Sequence, residues 1–138
     1  MSELMRLSFS LEKRLYLKLE SLVRKAGYTN RSEFIRDMVR SRLVEEDWES
    51  DEEALATVTI IYDHHARELS RRLVTLQHKR HRDVLATTHV HLDTHLCAEM
   101  IMVKGHAGDI RSFAEELRRE KGVLHASLAI SSTGKSLA

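Results

Sequence analysis

The chain has 138 residues, of which 42% are hydrophobic and 31% are charged, a composition typical of a globular protein with one medium or two small domains. The absence of a long apolar run excludes a transmembrane helix. Residues 1–15 lack the basic and apolar regions of a signal peptide, so we expect a cytoplasmic protein. The single cysteine, Cys97, cannot form an internal disulfide, which fits a reducing compartment or a thiolate with a chemical role.

The N-terminal part of the chain is basic and the remainder is acidic. Residues 1–44 contain 10 Lys/Arg against 5 Asp/Glu, a net charge of +5. Residues 45–138 contain 12 against 16, a net charge of −4. This asymmetry indicates that the N-terminal part contacts a polyanion.

The first elements follow from the spacing of apolar residues. Residues 5–11 alternate between apolar and polar side chains, which predicts a half-buried strand. Helical spacing begins at Leu11 and ends at Gly27, a helix C-cap glycine. A second helix follows, with Asn30 and Glu33 as a capping box. One strand and two short helices cannot bury a core alone, so we expect an intertwined dimer.

The rest of the chain predicts a second domain after the acidic residues 45–54. Its elements are strand 56–62, helix 65–81, strands 84–92 and 97–103, helix 109–121 capped by Gly122, and strand 123–130. This βαββαβ order is the ferredoxin-like arrangement, so the predicted fold class is α+β. We expect a DNA-binding domain over 1–47, an acidic linker or frayed helix end over 48–55, a second domain over 56–131 and a loose tail over 132–138.

The polar face of the N-terminal strand consists of Arg6, Ser8 and Ser10. Paired with its twin, such a strand forms a two-stranded ribbon that fits the major groove of DNA. The residues that open the second helix, Thr29, Asn30 and Arg31, offer free backbone N–H groups to a phosphate. The alternative is an edge strand with a solvated face and plain capping by Asn30. The two helices after the strand favour DNA recognition.

Nine histidines are many for this length, and they favour a metal or proton function. His89 and His91 point to the same face of a predicted strand, about 7 Å apart at the backbone. Cys97 opens the next strand of the hairpin, so its thiolate can join the two imidazoles at one ion. The alternative is a pair of histidines on a polar sheet face beside an unrelated cysteine.

Two further residues extend this candidate site. His78, on the predicted helix, is a candidate for a fourth ligand delivered from a neighbouring subunit; the alternative is a solvated helix histidine. Glu99 follows Cys97 by two positions on the same strand face and is a candidate for orienting a histidine ligand; the alternative is an ordinary surface carboxylate. Three imidazoles and a thiolate in a plane suit Ni(II) or Cu(II), whereas the same set in a tetrahedron suits Zn(II).

Taken together, these motifs resemble the NikR family of nickel-responsive regulators over residues 4–130. The resemblance is carried by RLSFSL (6–11), GYTNRSEFIRD (27–37), TLQH (75–78), THVHLDTHLCAEM (88–100), VKGHAGDI (103–110) and KGVLHASL (121–128). It implies an N-terminal ribbon-helix-helix (β-α-α) domain, an ACT-like C-terminal domain, and a homotetramer built as a dimer of dimers.

The resemblance also implies the function and the residues that perform it. Square-planar Ni(II) would be held by His89, His91 and Cys97 of one chain and His78 of another, and DNA would be read by Arg6, Ser8 and Ser10. Serines stand at the two hydroxyl positions where the family more often has threonine; serine keeps the hydrogen bonding but lacks the methyl group, so we expect a shifted base preference. Nickel would enhance binding to a palindromic operator and thereby repress nickel uptake genes.

The family pattern implies several secondary sites. Glu33 and Asp37 match positions that hold a second cation in the DNA complex. Arg67 matches a contact to the DNA backbone, whereas the neighbouring Ala66 stands where relatives can carry lysine, so we expect a less extensive contact. Weaker outer metal sites are implied for four histidines: His64, His65, His81 and His106.

Two other classes of function stay open at the level of sequence. One is a DNA regulator of the same architecture that responds to an amino acid, or to another divalent ion such as Cu, Zn or Co. The other is a metalloenzyme or a metal-storage protein. No general base stands beside the H-V-H motif and no active-site loop is apparent, so we expect that the protein is not an enzyme.

Overall fold

A computed structural model describes residues 3–80 and 82–137. Its elements are α1 (Lys13–Lys25), α2 (Arg31–Glu49), β1 (Glu53–Asp63), α3 (Leu69–Lys79), β2 (Val84–His91), β3 (Leu96–His106), α4 (Ala107–Arg119) and β4 (Val123–Ser131). The chain divides into two compact units between Ser41 and Arg42. Within the described ranges, the helices lack the combination of length and hydrophobicity needed to cross a bilayer. His81, predicted as an outer metal ligand, lies outside the described residues.

The N-terminal segment differs from its prediction. Residues 5–11 are extended but belong to neither a helix nor a strand, whereas the sequence predicts a strand there. A strand is defined by hydrogen bonds to a neighbour, and the expected neighbour is a second copy of the same segment. The single chain does not supply that neighbour.

The first helix ends just before Gly27, as the sequence predicts. Gly27 has a φ of 80°, a left-handed conformation that favours glycine. The N–H of Gly27 donates to the Arg24 carbonyl at 3.1 Å, and the N–H of Tyr28 donates to the Val23 carbonyl at 3.1 Å. These two bonds close the last turn of α1 in a Schellman-type motif, which confirms the predicted cap.

The second helix begins with the predicted cap but ends later than expected. The Glu33 N–H donates to Asn30 Oδ1 at 2.9 Å, while the Glu33 carboxylate pairs with Arg36 instead of returning to the cap. At the other end, Trp48 is 4% exposed and its Nε1–H donates to the Ser131 carbonyl at 2.9 Å. Burial of this large side chain holds the last turn helical. Residues 48–55 therefore comprise the end of α2, a turn and the start of β1.

The second unit contains one antiparallel sheet in the order β2-β3-β1-β4. This order and the βαββαβ succession confirm the predicted ferredoxin-like arrangement. Alternate residues of β1 from Ala54 to Tyr62 are buried on one face of the sheet. The helices contribute the other half of this core through Leu69, Leu73, Ile110, Phe113 and Leu117.

Helices α3 and α4 begin and end at residues that differ from the predicted ones. Helix α3 was predicted from His65 but begins at Leu69, because Glu68 adopts a left-handed φ of 60° that interrupts helical geometry. Helix α4 begins two residues early, where Asp51 Oδ1 accepts the Gly108 N–H at 2.7 Å. Gly122 was predicted to cap α4, but the helix ends at Arg119 and Gly122, with a φ of 102°, forms the turn into β4.

The C-terminal residues, predicted to be a loose tail, make specific contacts with the start of this unit. Ser136 Oγ donates to Asp47 Oδ2 at 2.6 Å. The Lys135 ammonium lies 3.1 Å from the Glu53 carboxylate. The tail therefore packs along the turn between α2 and β1.

Candidate metal centre and DNA-binding residues

The register of the sheet places the candidate metal ligands side by side. His91 lies opposite Cys97, and His89 lies opposite Glu99, in the antiparallel pair of β2 and β3. Directly opposed residues point to the same face of a sheet. Cys97 is in turn opposite Tyr62 of β1, whose side chain is in the core. The candidate ligands therefore lie on the face of the sheet that the helices cover. They are at its edge, on and beside β2, where His89 and His91 are exposed.

Three predicted ligands converge within one chain. Donor atoms of His89, His91 and Cys97 all lie within 4.8 Å of one another. Cys97 Sγ is 3.3 Å from His91 Nδ1, and the two imidazole rings have centroids 5.1 Å apart. Cys97 is buried whereas both histidines are exposed. Two imidazole nitrogens and one thiolate suit Ni(II), Cu(II) or Zn(II), so the residues present fit a transition metal.

The buried side of this cluster is formed by Tyr62 and Glu99. The Tyr62 hydroxyl is 3.1 Å from His89 Nδ1, and Glu99 Oε1 is 3.7 Å from the same nitrogen. Burial, with help from the Glu99 charge, raises the pKa of Tyr62 to about 12, so the phenol is neutral. Sequence reasoning missed Tyr62, because only the pairing of β1 with β3 brings it beside β2.

Burial also sets the protonation state of the thiol. The pKa of Cys97 is raised above its ordinary value, first by burial and then by the charges of Asp63, Asp93 and Glu99. A thiol binds a metal as the thiolate, so an ion that binds here must displace a proton from Cys97.

A hydrogen-bonded chain connects α3 with this cluster. Gln77 Nε2 donates to Glu99 Oε2 at 2.9 Å, and Thr87 Oγ1 donates to Gln77 Oε1 at 2.9 Å. Glu99 was predicted to orient a histidine, and it does face His89. Gln77 and Thr87 were not predicted, and only the packing of α3 over the sheet reveals them.

His78 lies outside the three-residue cluster. It is exposed on α3 and lines a shallow cavity of about 340 Å³ together with Val74, Gln77 and Glu99. Its predicted role as a ligand requires a second copy of the chain and stays a prediction.

The predicted outer histidines occupy two separate places. The rings of His64 and His65 have centroids 3.9 Å apart and are tilted by 42°, and their Nε2 atoms lie 2.7 and 3.1 Å from the Thr94 carbonyl oxygen. His106 stands at the start of α4, where Nδ1 donates to the Asp51 carbonyl at 3.0 Å. That hydrogen bond raises the pKa of His106.

The predicted DNA-reading side chains are all accessible. Arg6, Ser8 and Ser10 are exposed in the extended N-terminal segment. The apolar residues between them are exposed too, with Leu7 at 89% and Phe9 at 62%. Both faces of this segment are therefore available to partners.

The other residues predicted to contact DNA differ in whether their side chains also interact with residues of their own chain. Asn30 caps α2 through its side chain, and Thr29 is exposed beside it. Arg31 Nε lies 3.2 Å from Glu20. Arg67 is exposed in the turn before α3.

The two carboxylates of the predicted secondary cation site form ion pairs with arginines of the same helix. Glu33 pairs with Arg36, and Asp37 lies 3.2 Å from Arg40. Asp37 also accepts a hydrogen bond from the Tyr28 hydroxyl, which lowers the pKa of this carboxyl group. A cation would have to compete with these partners, and the role of Glu33 and Asp37 stays a prediction.

Comparison with known proteins assigns both units of the chain. Residues 55–131 match the family described as "NikR C terminal nickel binding domain", and residues 5–46 match "Ribbon-helix-helix protein, copG family". Proteins of Geobacter sulfurreducens and Solibacter usitatus are each 44% identical over 138 residues, which covers 99% of this chain and 99% of theirs. Both carry the name "Putative nickel-responsive regulator".

Among solved structures, an uncharacterized protein from Thermotoga maritima is similar to part of this chain. The TM-score is 0.51 at 16% sequence identity, and the match covers 57% of this chain and 98% of that one. At this identity the similarity shows a shared fold alone.

Proposed function

This chain belongs to the NikR family of nickel-responsive regulators, and we propose that it is a transcriptional regulator whose binding to operator DNA is controlled by nickel. The observation that carries the proposal is the convergence of His89, His91 and Cys97 within 4.8 Å, inside the region that matches the nickel-binding domain. The N-terminal region supplies the second half of a regulator, a domain of a DNA-binding type.

In this proposal the ion is Ni(II), bound by His89, His91 and Cys97 of one chain and completed by His78 of a neighbouring subunit. Bound nickel would join side chains of two subunits and stabilise the Cys97 thiolate. Tyr62 and Glu99 hold the ring of His89 from the buried side through Nδ1, which leaves Nε2 as the nitrogen for the ion.

Hydrogen bonds within the chain suggest how metal binding would restrict the position of other elements. Glu99 faces His89 on one side and accepts a hydrogen bond from Gln77 of α3 on the other. His78 follows Gln77 directly on the same helix. A metal ion that restricts His89 would therefore also restrict the position of α3 against β2 and β3.

The apolar side of the N-terminal segment supports pairing with a second copy. Leu7 and Phe9 expose large apolar surfaces that a partner segment would remove from water. Pairing in that way directs Arg6, Ser8 and Ser10 to the other side of the ribbon, where they would contact bases in the major groove. Thr29, Asn30, Arg31 and Arg67 would contact the phosphate backbone.

A ribbon made by two identical chains has twofold symmetry, so its operator would be palindromic. We propose a homotetramer, a dimer of dimers, in which two such ribbons serve one metal-binding core. The regulated genes would be those of nickel uptake, repressed when nickel is bound.

The proposal is tested by measuring operator affinity with and without nickel. The operator is first selected from a random duplex library with the nickel-loaded protein, and binding is then followed by fluorescence anisotropy. We expect added nickel to raise affinity at least about tenfold, a coupling of about 1.4 kcal/mol. Cys97→Ser should remove the effect of nickel, and Arg6→Ala should weaken binding in both states.

Matched controls separate the two parts of the proposal. His125→Ala, which removes an exposed histidine remote from the cluster, should respond to nickel as the unaltered protein does. Equal operator affinity in the presence and absence of nickel would refute nickel control. A stronger response to copper, zinc or cobalt than to nickel would assign the control to that ion instead.

A further inference from the structure

The side chain of Arg80 attaches the C-terminal end of α3 to α4. Arg80 follows His78 by two residues and is the C-cap residue of α3. Its guanidinium contacts three residues spaced along one face of α4: Asp109, Phe113 and Glu116. We propose that Arg80 is a positioning residue that fixes this end of α3 and thereby sets the affinity with which His78 completes the nickel site. The inference rests on the proposed function, in which His78 is a ligand.

The contact of Arg80 with α4 combines three interactions. Nη2 lies 2.9 Å from Glu116 Oε1 in a charge-assisted hydrogen bond, and Nη1 donates to the Asp109 carbonyl at 3.3 Å. The guanidinium carbon is 5.4 Å from the centre of the Phe113 ring, within the range of a cation–π interaction. The Arg80 side chain is only 22% exposed. Partners on both terminal nitrogens and on one face hold the planar group in a single orientation.

The backbone of Arg80 links the same point to the start of β2. The Arg80 N–H donates to the Gln77 carbonyl at 3.1 Å. The Arg80 carbonyl accepts the N–H groups of Asp83 at 2.8 Å and Val84 at 3.0 Å, and Val84 is the first residue of β2. Arg80 therefore fixes the end of α3 to α4 through its side chain and to the sheet through its backbone.

Burial holds the first half of α3 more firmly than the end that carries His78. The buried side chains of α3 are Leu69 and Leu73, each 1% exposed, and both precede His78 by more than one turn. Beyond them, Leu76 is only partly buried against the core. Hydrogen bonds such as those of Arg80 therefore contribute more to the position of this end than apolar packing does.

The charge of Arg80 allows positioning to be separated from electrostatics. A positive charge near a cation site opposes binding, so its removal alone should strengthen nickel binding. Loss of a positioning contact has the opposite effect, because nickel binding must then also order the end of α3. Lysine keeps the charge but lacks the planar fork that reaches both Glu116 and the Asp109 carbonyl. A lower nickel affinity in either Arg80→Gln or Arg80→Lys therefore reports positioning.

The test is a double-mutant cycle of Arg80 and His78 in the full chain, with the Kd for Ni(II) measured by competition with a chelator. Arg80→Gln should raise the Kd about 3–30-fold, the range expected for side chains that couple to a site without touching the ligand. Arg80→Lys should raise it too. Arg119→Gln is the matched control: it removes an exposed positive charge from α4 and should change the Kd by less than about twofold.

The His78→Ala background shows whether Arg80 acts through His78. There, Arg80→Gln should leave the Kd unchanged, whereas a general loss of structure would raise the Kd by the same factor in both backgrounds. In the metal-free protein, Arg80→Gln should also speed deuterium exchange of amides in the last turn of α3, while β1 and β3 stay protected.

Three outcomes would overturn the proposal: an unchanged or lower Kd in Arg80→Gln, equal losses with and without His78, or unchanged exchange in α3. His78→Ala by itself tests the proposed function. If it leaves the Kd unchanged, His78 is not a ligand and both proposals fail. If it raises the Kd, any failure belongs to Arg80 alone.

Discussion

At the scale of single residues, Glu99 is a buried carboxylate beside the candidate metal centre. It is a carboxylate with only 9% exposure, and burial of a charge is costly unless partners compensate for it. Its partners are Gln77 at 2.9 Å and His89 at 3.7 Å. A carboxylate placed in this way orients an imidazole and makes it a stronger donor to a metal.

Glu99→Gln should therefore weaken nickel binding while leaving the fold intact. The substitution keeps the shape of the side chain but removes the charge that faces His89. We expect the Kd for nickel to rise about 10–100-fold, measured by competition with a chelator. Glu115→Gln is the matched control, since it alters an exposed carboxylate that pairs with Arg118 on α4. Equal losses in both variants would contradict a specific role for Glu99.

His106 gives the chain a pH-dependent contact. Its pKa is raised above the unfolded value of about 6.5, chiefly by the hydrogen bond to the Asp51 carbonyl. The stability that this contact adds is therefore complete below the unfolded pKa and is lost as pH rises through the folded pKa. His106→Gln should lower the free energy of unfolding more at pH 5.5 than at pH 8.5, measured by urea denaturation. A larger deficit at the alkaline pH would contradict this reasoning.

At the scale of elements, the turn between α1 and α2 depends on backbone conformation and not on packing. Gly27 has a φ of 80°, and a β-carbon added there would meet no heavy atom within 4 Å. Any cost of a side chain at this position is therefore conformational. This turn sets the direction in which α2 leaves α1.

Gly27→Ala should destabilise the protein by roughly 1–2 kcal/mol, the cost of forcing a β-carbon into the left-handed region. The free energy of unfolding from urea titration measures this loss. Gly105→Ala is the control: its backbone is outside the left-handed region, and an added β-carbon would make ordinary contacts with Asp83 at 3.6 Å. The control should change stability by less than about 0.5 kcal/mol. Similar effects of both substitutions would argue against a conformational origin.

At the scale of the whole molecule, the N-terminal unit lacks a core of its own. Between residues 3 and 41, Val23 is the only buried side chain that the structure describes. Large apolar residues of the same unit are exposed instead, including Leu15 at 50%, Leu22 at 55% and Met38 at 52%. A unit with this distribution of apolar surface gains stability from association, which supports the proposed pairing of two copies.

The double variant Leu7→Ser/Phe9→Ser should prevent this pairing. If two copies form a ribbon, backbone amides of residues 5–11 are hydrogen-bonded and exchange slowly with deuterium in the unaltered protein. The variant should exchange them rapidly, while β1 and β3 stay protected. Ser8→Ala, on the polar side of the same segment, should retain slow exchange. Fast exchange in the unaltered protein would contradict a paired ribbon.

The sequence by itself determined the types of the elements from α1 to β4, the βαββαβ order and the convergence of His89, His91 and Cys97. Each follows from local spacing: period two along strands, helical periodicity, and a hairpin that brings one strand beside the next. The tertiary structure alone decided that Trp48 extends α2, that Glu68 delays α3, and that Tyr62 and Gln77 face the metal centre. These depend on contacts between residues distant in sequence or on a single backbone angle, and neither leaves a periodic signal. For the same reason, residues 5–11 are not assigned to a strand in a single chain, since the proposed hydrogen-bonding partner is a second copy of the chain.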